Sequence, residues 1–218
     1  MAVGTKADMI RAFLAVELTD DLRRSVALVQ QEVRRRIEGA GRRGSRITWV
    51  KPAALHLTIK FLGDTGEQMV ESLREALTQA LGGRRELSVP LERVGGFPRA
   101  QSPRVLWVGP GEEWERSEDC AEAVAWQRSV DEGCRPFGFA PETKSFSPHL
   151  TIARIKEGER QVGQALANSG LLDRPLEMGH LVLNGLSLIK SELRPEGPSY
   201  TKLWAVQVGE RSGSAEGR

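Results

Sequence analysis

The sequence predicts an α+β fold with antiparallel sheets and flanking helices, internally duplicated into two lobes with a cleft between them. Three observations carry that expectation. The tetrapeptide His-Leu-Thr-Ile occurs twice, starting at His56 and at His149, 93 residues apart (149 − 56). Strand-like and helix-like patterns mix, and several strands adjoin through short turns, unlike a doubly wound fold. The order strand, helix, strand, His strand, helix in the first half has a partial echo in the second, as an internal duplication would give.

The elements follow in order. Residues 1–8 read as a loose start. Met9 to Glu17 alternates like a strand. Thr19 then caps a helix with Asp20 and Asp21 in its first turn. Leu22, Val26, Val29, Val33 and Ile37 make its apolar stripe, and Gly39 and Gly41 stop it. Arg46 to Val50 reads as a strand, which Pro52 breaks before the first His strand. Gly63 is expected to end that strand. Val70, Leu73, Leu77 and Leu81 mark a second helix, closed by Gly82-Gly83. Leu87 to Val94 and Arg104 to Val108 read as strands across a Gly/Pro-rich turn. Glu112 to Glu132 is a weaker helical pattern. Phe137 to Pro148 is loop and delivers the second His strand. A short helix near Arg160 to Ala167 follows. His180 to Leu193 is strand with a Gly interruption, and Tyr200 to Val208 is the last strand.

The chain has 218 residues, enough for one sizeable core. Its 39% apolar and 28% charged content reads as globular. No stretch approaches a membrane helix and no signal-peptide apolar region opens the chain, so the expectation is a cytoplasmic protein. Cys120 and Cys134 are too few for a disulfide framework and lack metal spacing. Arg34, Arg35, Arg36, Arg42, Arg43 and Arg46 lie close in sequence. Such a cluster can attract polyanions, but a solvated helix end, where cations are favoured, is the better reading.

The chemistry sits in the repeats. Strand side chains alternate faces, so His56 and Thr58 point one way, as do His149 and Thr151. Leu and Ile pack on the other side. Two such strands facing one cleft supply a base, an acid and two hydroxyl donors. Histidine titrates near neutrality, so one ring can take a proton from water while the other gives one to a leaving oxygen. Thr58 and Thr151 can donate to non-bridging phosphate oxygens. By alternation Lys60 joins the face of His56 and could add positive charge. A single strand histidine is usually structural. The same residue in two identical contexts is not explained by duplicated packing. His180, the third and last histidine, has no Thr two residues on and reads as structural. No Asp, Glu, His or Cys cluster has metal-site spacing, and P-loop, dinucleotide and Gly-x-Ser-x-Gly patterns are absent.

These residues resemble a known group. The two His-x-Thr-x motifs are similar to those of the 2H phosphoesterase superfamily. MIRAFLAVEL, ITWVKPAALHLTIKFLGD, GFPRAQSPRVLWVG, FSPHLTIAR and SLIKSELRPEGPSYTKLW look like the bacterial and archaeal RNA 2′,3′-cyclic phosphodiesterase family, also called the 2′–5′ RNA ligase family. The likeness runs from about Ile10 to Val208; Glu112 to Glu132 is its weakest part.

The resemblance implies one domain over 1–218 made of two interleaved lobes related by a pseudo-twofold, each giving one His-x-Thr strand to a central open cleft, with 209–218 a flexible tail. It implies hydrolysis of RNA 2′,3′-cyclic phosphate ends to 2′-phosphates without metal or other cofactor. His56 would be the proton donor, His149 the acceptor, and Thr58 and Thr151 the phosphate binders. The residues alone do not assign the two histidines, because the motifs are identical. Arg154 matches a family arginine, yet strict alternation puts it on the face opposite His149. The expected partner is RNA with a cyclic phosphate end, tRNA fragments included, met by a monomer away from membranes. Two alternatives stay open: 2′–5′ ligation by the reverse chemistry, and a non-catalytic nucleotide- or RNA-binding module.

Overall fold

A computed structural model describes residues 9–39, 44–172, 174–195 and 197–209. Arg42, Arg43 and the 1–8 and 210–218 segments lie outside the described residues. Among the described residues the ten strands are β1 (Met9–Glu17), β2 (Arg46–Trp49), β3 (His56–Gly66), β4 (Leu87–Pro90), β5 (Arg93–Phe97), β6 (Val105–Gly109), β7 (Leu150–Glu157), β8 (His180–Leu183), β9 (Gly185–Arg194) and β10 (Gly197–Gln207). The helices are α1 (Asp20–Gly39), α2 (Val70–Leu81), α3 (Glu112–Glu115), α4 (Glu118–Cys134) and α5 (Glu159–Asn168).

Eight strands form one antiparallel sheet in the order β10-β9-β1-β3-β7-β6-β5, with β2 also on β7. β4 and β8 form a separate pair. The mixed helix and antiparallel-sheet class read from the sequence is therefore the class observed. The two His strands are neighbours at the middle of the sheet, joined through the single register pair Leu57–Leu150. Either side of that seam the strands pair over longer runs.

The helices cross the seam. α1 follows β1 in sequence, yet its buried Gln30 donates to the carbonyls of Val50, at 2.7 Å, and Ile152 of β7, at 2.8 Å. α4, late in sequence, is tied to β3 by Lys60 and Asp131. Each of these helices is thus tied to a strand distant from it in sequence. One apolar core runs under the whole sheet, built from residues such as Leu14, Val26, Leu57, Leu73, Leu106, Trp126, Leu150 and Leu188. Burying that continuous surface is the main force holding the sheet and helices together.

Local rules explain most boundaries. Thr19 caps α1, its Oγ1 accepting from the Leu22 N–H at 3.3 Å. Ser117 caps α4 in the same way through the Cys120 N–H. That cap splits the Glu112 to Glu132 pattern into α3 and α4. Gly63 does not end the first His strand; β3 runs on to Gly66, and Gly63 takes a left-handed φ of +72° inside it. Leu87 to Val94 also divides, since β4 leaves the main sheet to pair with β8.

Candidate active site

The two motifs meet by register. In an antiparallel ladder the residues flanking a pair oppose each other, so Leu57–Leu150 sets His56 across from Thr151 and Thr58 across from His149. Neighbouring strands stand about 4.8 Å apart, so these four side chains share one patch. All four are half-buried, whereas Leu57, Ile59, Leu150 and Ile152 are buried on the core side.

Each imidazole is fixed the same way. Nδ1 of His56 donates to the Ala54 carbonyl at 2.8 Å, and Nδ1 of His149 donates to the Ser147 carbonyl at 2.8 Å. A carbonyl oxygen only accepts, so Nδ1 carries the hydrogen and Nε2 is left for a ligand. Aromatic rings hold the imidazole planes. Phe13 lies 4.7 Å and Tyr200 5.4 Å from His56, centroid to centroid. Phe97 lies 4.9 Å and Trp107 6.4 Å from His149. Trp107 lies close over Gly95, where a Cβ would stand 2.1 Å from its ring.

A match to the LigT-like phosphoesterase family model covers residues 16–107 and 117–200, both motifs included. The chain belongs to the LigT-like phosphoesterase family. It is 32% identical over 194 residues to the RNA 2′,3′-cyclic phosphodiesterase of Methanothermobacter thermautotrophicus, covering 89% of this chain and 96% of that protein. It is 34% identical over 200 residues to the protein of the same name from Thermus thermophilus, covering 89% and 88%. The crystal structure of TT0787 of Thermus thermophilus superposes with a TM-score of 0.65 at 28% identity, covering 92% of this chain and 98% of that one. The fold is also that of E. coli LigT complexed with 3′-AMP, with a TM-score of 0.63 at 18% identity over 93% and 99%.

In this LigT-like phosphoesterase, alternation breaks immediately after each motif, and that overturns two sequence expectations. β1 residues Leu14 and Ala15 pair with Lys60 and Thr58, leaving Ile59 as an extra residue in β3. β6 residues Leu106 and Trp107 pair with Ala153 and Thr151, leaving Ile152 as an extra residue in β7. A bulge of this kind turns every later side chain to the other face.

Lys60 therefore leaves the face of His56. It is 2% exposed. Its ammonium donates to Asp131 Oδ1 at 2.6 Å and to the Ala140 carbonyl at 2.6 Å. Asp131 Oδ2 accepts from Gln127 and from the Glu142 N–H, each at 3.0 Å. Burial would raise the Asp131 carboxyl, but the hydrogen bonds from Lys60, Glu142 and Gln127 hold it below its ordinary value. The lysine braces the segment that leads towards His149; it is not a phosphate contact.

Arg154 moves the opposite way. It pairs with Val105 of β6 and Thr48 of β2 and is exposed on the face of Trp107 and Thr151. Its charge acts on both histidines. Burial pushes His56 below its usual pKa, the Ala54 carbonyl opposes that, and Arg154 lowers it further. His149 follows the same pattern with Ser147 and Arg154. The sequence reading missed Phe61, the residue equivalent to Arg154 in the first motif. Phe61 is 64% exposed on the His56 face, opposite Phe13. It also missed Gln30. That side chain and the Val50 N–H both donate to the carbonyl of Ile152, the extra residue of the second bulge. An alternating pattern carries no mark of a bulge, so periodicity could not place Phe61.

The other expectations resolve simply. His180 is exposed at the head of β8, opposite Pro90 in the small sheet, so it is a surface residue and not a packing one. Arg35 and Arg36 both pair with Glu32, Arg34 with Glu38 and Arg46 with Glu157, so these cations are locally matched. Burial pushes the Cys134 thiol up to about 12, which leaves it inert. No described helix is long and apolar enough to cross a membrane.

Proposed function

We propose that this phosphoesterase hydrolyses RNA 2′,3′-cyclic phosphate ends to 2′-phosphate ends by two-histidine acid–base catalysis. The observation that carries the reading is the Leu57–Leu150 pair, which puts two identically hydrogen-bonded histidines and two threonines on one face. The names of the relatives supply the substrate class.

The groups divide the work. Neutral His149 takes a proton through Nε2 from a water whose oxygen attacks phosphorus. Protonated His56 gives its Nε2 proton to the 3′ oxygen as the P–O3′ bond breaks. The product keeps phosphate on the 2′ oxygen and gains a 3′ hydroxyl. Thr58 and Thr151 donate to the non-bridging oxygens, and Arg154 offsets their charge. The exposed Phe61 ring offers a face on which the terminal base can stack. The proposed substrates are cytoplasmic RNA ends, tRNA fragments among them, met by a monomer.

Product analysis tests the reading. An oligonucleotide with a 2′,3′-cyclic end should yield only the 2′-phosphate, with chelator present or absent. A 3′-phosphate product, or loss of activity in chelator with rescue by a divalent ion, would refute it. A 5′-hydroxyl acceptor in place of water would give 2′–5′ ligation through the same groups, and the same assay with added acceptor reads it out.

A further inference from the structure

Four rings stand against the two imidazoles, and three of them offer a ligand nothing polar. Phe13 and Phe97 have no polar atom, and Trp107 Nε1 is sealed from solvent without a hydrogen-bond partner. Tyr200 differs. It is the chain's single tyrosine and is half-buried. Its ring stands edge-on to Phe13 at 5.2 Å and 76°, and to His56 at 5.4 Å and 84°. Its hydroxyl makes no hydrogen bond to any described residue and is not among the sealed polar atoms. The packing against His56 and Phe13 needs only the ring, so phenylalanine would serve it equally.

We propose that Tyr200 contacts substrate, its hydroxyl donating a hydrogen bond to an oxygen of the terminal sugar–phosphate on the His56 side. This rests on the RNA-end reading above. The ring is already held by two aromatic contacts, so little freedom is lost when the hydroxyl meets a ligand. Burial raises the phenol above its ordinary pKa while Arg154 pulls it down. The group thus stays a neutral donor near pH 7, within the field of the same arginine that acts on both histidines. Tyr200 lies on β10, the outer strand on the His56 side of the sheet. Of the rings packed on the two imidazoles, it therefore gives His56 one with a free polar group, whereas those against His149 are a phenylalanine and an indole with a sealed nitrogen. Two identical motifs acquire unlike surroundings in this way.

Tyr200→Phe keeps the ring and removes only the hydroxyl. With a 2′,3′-cyclic-ended oligonucleotide, kcat/KM should fall roughly 10-fold to 100-fold, the cost of one hydrogen bond to a charged or polarised oxygen. The melting temperature and the His56 titration, followed by NMR, should not move. In the wild-type protein the one tyrosine Cζ signal should shift when a 2′-mononucleotide is added. Inorganic phosphate as inhibitor locates the contact. Weaker inhibition in the variant puts it on a phosphate oxygen, and equal inhibition puts it on the sugar. A kcat/KM within about twofold of wild type would overturn the inference, as would a loss that travels with a changed His56 titration. Absence of turnover in the wild type would bring down the RNA-end reading and this inference together; wild-type turnover matched by the variant removes this one alone.

Discussion

Phe61 and Arg154 occupy the same place after the two motifs, five residues beyond His56 and His149, each turned onto the histidine face by an extra isoleucine. The backbone is thus alike after the two motifs to the level of a bulge, while the residues it aims differ. One strand presents an exposed ring and the other a cation. That difference, with Tyr200 on one side only, gives identical motifs two environments.

Arg154 should therefore affect binding and titration together. Its charge depresses both imidazoles, so Arg154→Gln should raise the pKa of His56 and of His149. The same change removes a charge that offsets the phosphate, and kcat/KM should drop on the order of 10² to 10³. Two-dimensional NMR of the imidazoles and steady-state kinetics check both. A normal rate with unmoved titrations would mean that the arginine faces solvent only.

The pH profile has a predictable direction. Both histidines lie below the ordinary value of 6.5 in the free protein, chiefly through burial. The reactive form needs one imidazole charged and one neutral, so kcat/KM should be bell-shaped with its maximum on the acid side of neutrality. The two limbs belong to the pair, not to single rings. Bound phosphate is anionic and favours the charged imidazole, so the bell for kcat should lie at higher pH than the bell for kcat/KM. A kcat bell displaced to lower pH would contradict the assignment. The depressed values also mean that the unfolded chain takes up protons first as pH falls through 6.5. Ligand-free stability should accordingly decline from there, which melting temperatures against pH would show.

Much of this was legible in the sequence because it rests on local rules. The His-x-Thr spacing marked the functional face, and Thr19, the α1 stripe and the Val70 to Leu81 stripe marked their helices. Lys60 and Arg154 were misplaced for one reason: alternation presumes an unbroken ladder, and both strands bulge at the fourth residue of the motif. Gln30 and Asp131 were missed because a buried polar residue on a helix face carries no local signal; its partners lie 122 and 71 residues away in sequence. The seam between β3 and β7 is likewise a long-range pairing.

Lys60 should matter to stability rather than to phosphate binding. Lys60→Met strands the Asp131 carboxylate in the interior, which typically costs about 3–5 kcal/mol. Lys60→Met with Asp131→Leu should recover much of that, since neither charge is then buried alone. The Asp131 carboxyl is held low, so the pair's contribution is present above the unfolded value of 3.8 and is lost as pH falls below it. Chemical denaturation of the single and double variants measures the coupling. Inhibition by inorganic phosphate should be unchanged in both. Weaker phosphate inhibition by the folded single variant would return Lys60 to the site.

The strongest test of the mechanism is substitution within the motif pair. His56→Ala and His149→Ala should each lower the single-turnover rate on the order of 10² to 10⁴, because each removes one proton transfer. Thr58→Val and Thr151→Val should cost less, on the order of 10-fold to 10³-fold, since the opposite threonine and Arg154 still cover the phosphate oxygens. The double histidine variant should lose little more than the worse single one, as residues acting as a unit are strongly non-additive. His180→Ala, exposed at β8, should leave the rate and the melting temperature close to wild type. The pH dependence separates the roles further. With His149 replaced, the limb that requires a neutral base should vanish while the limb that requires an acid remains; with His56 replaced, the reverse should hold. Each variant should be compared at equal folded concentration on a 2′,3′-cyclic-ended oligonucleotide. A near-wild-type rate in either single histidine variant would defeat the two-histidine mechanism, whatever the relatives do.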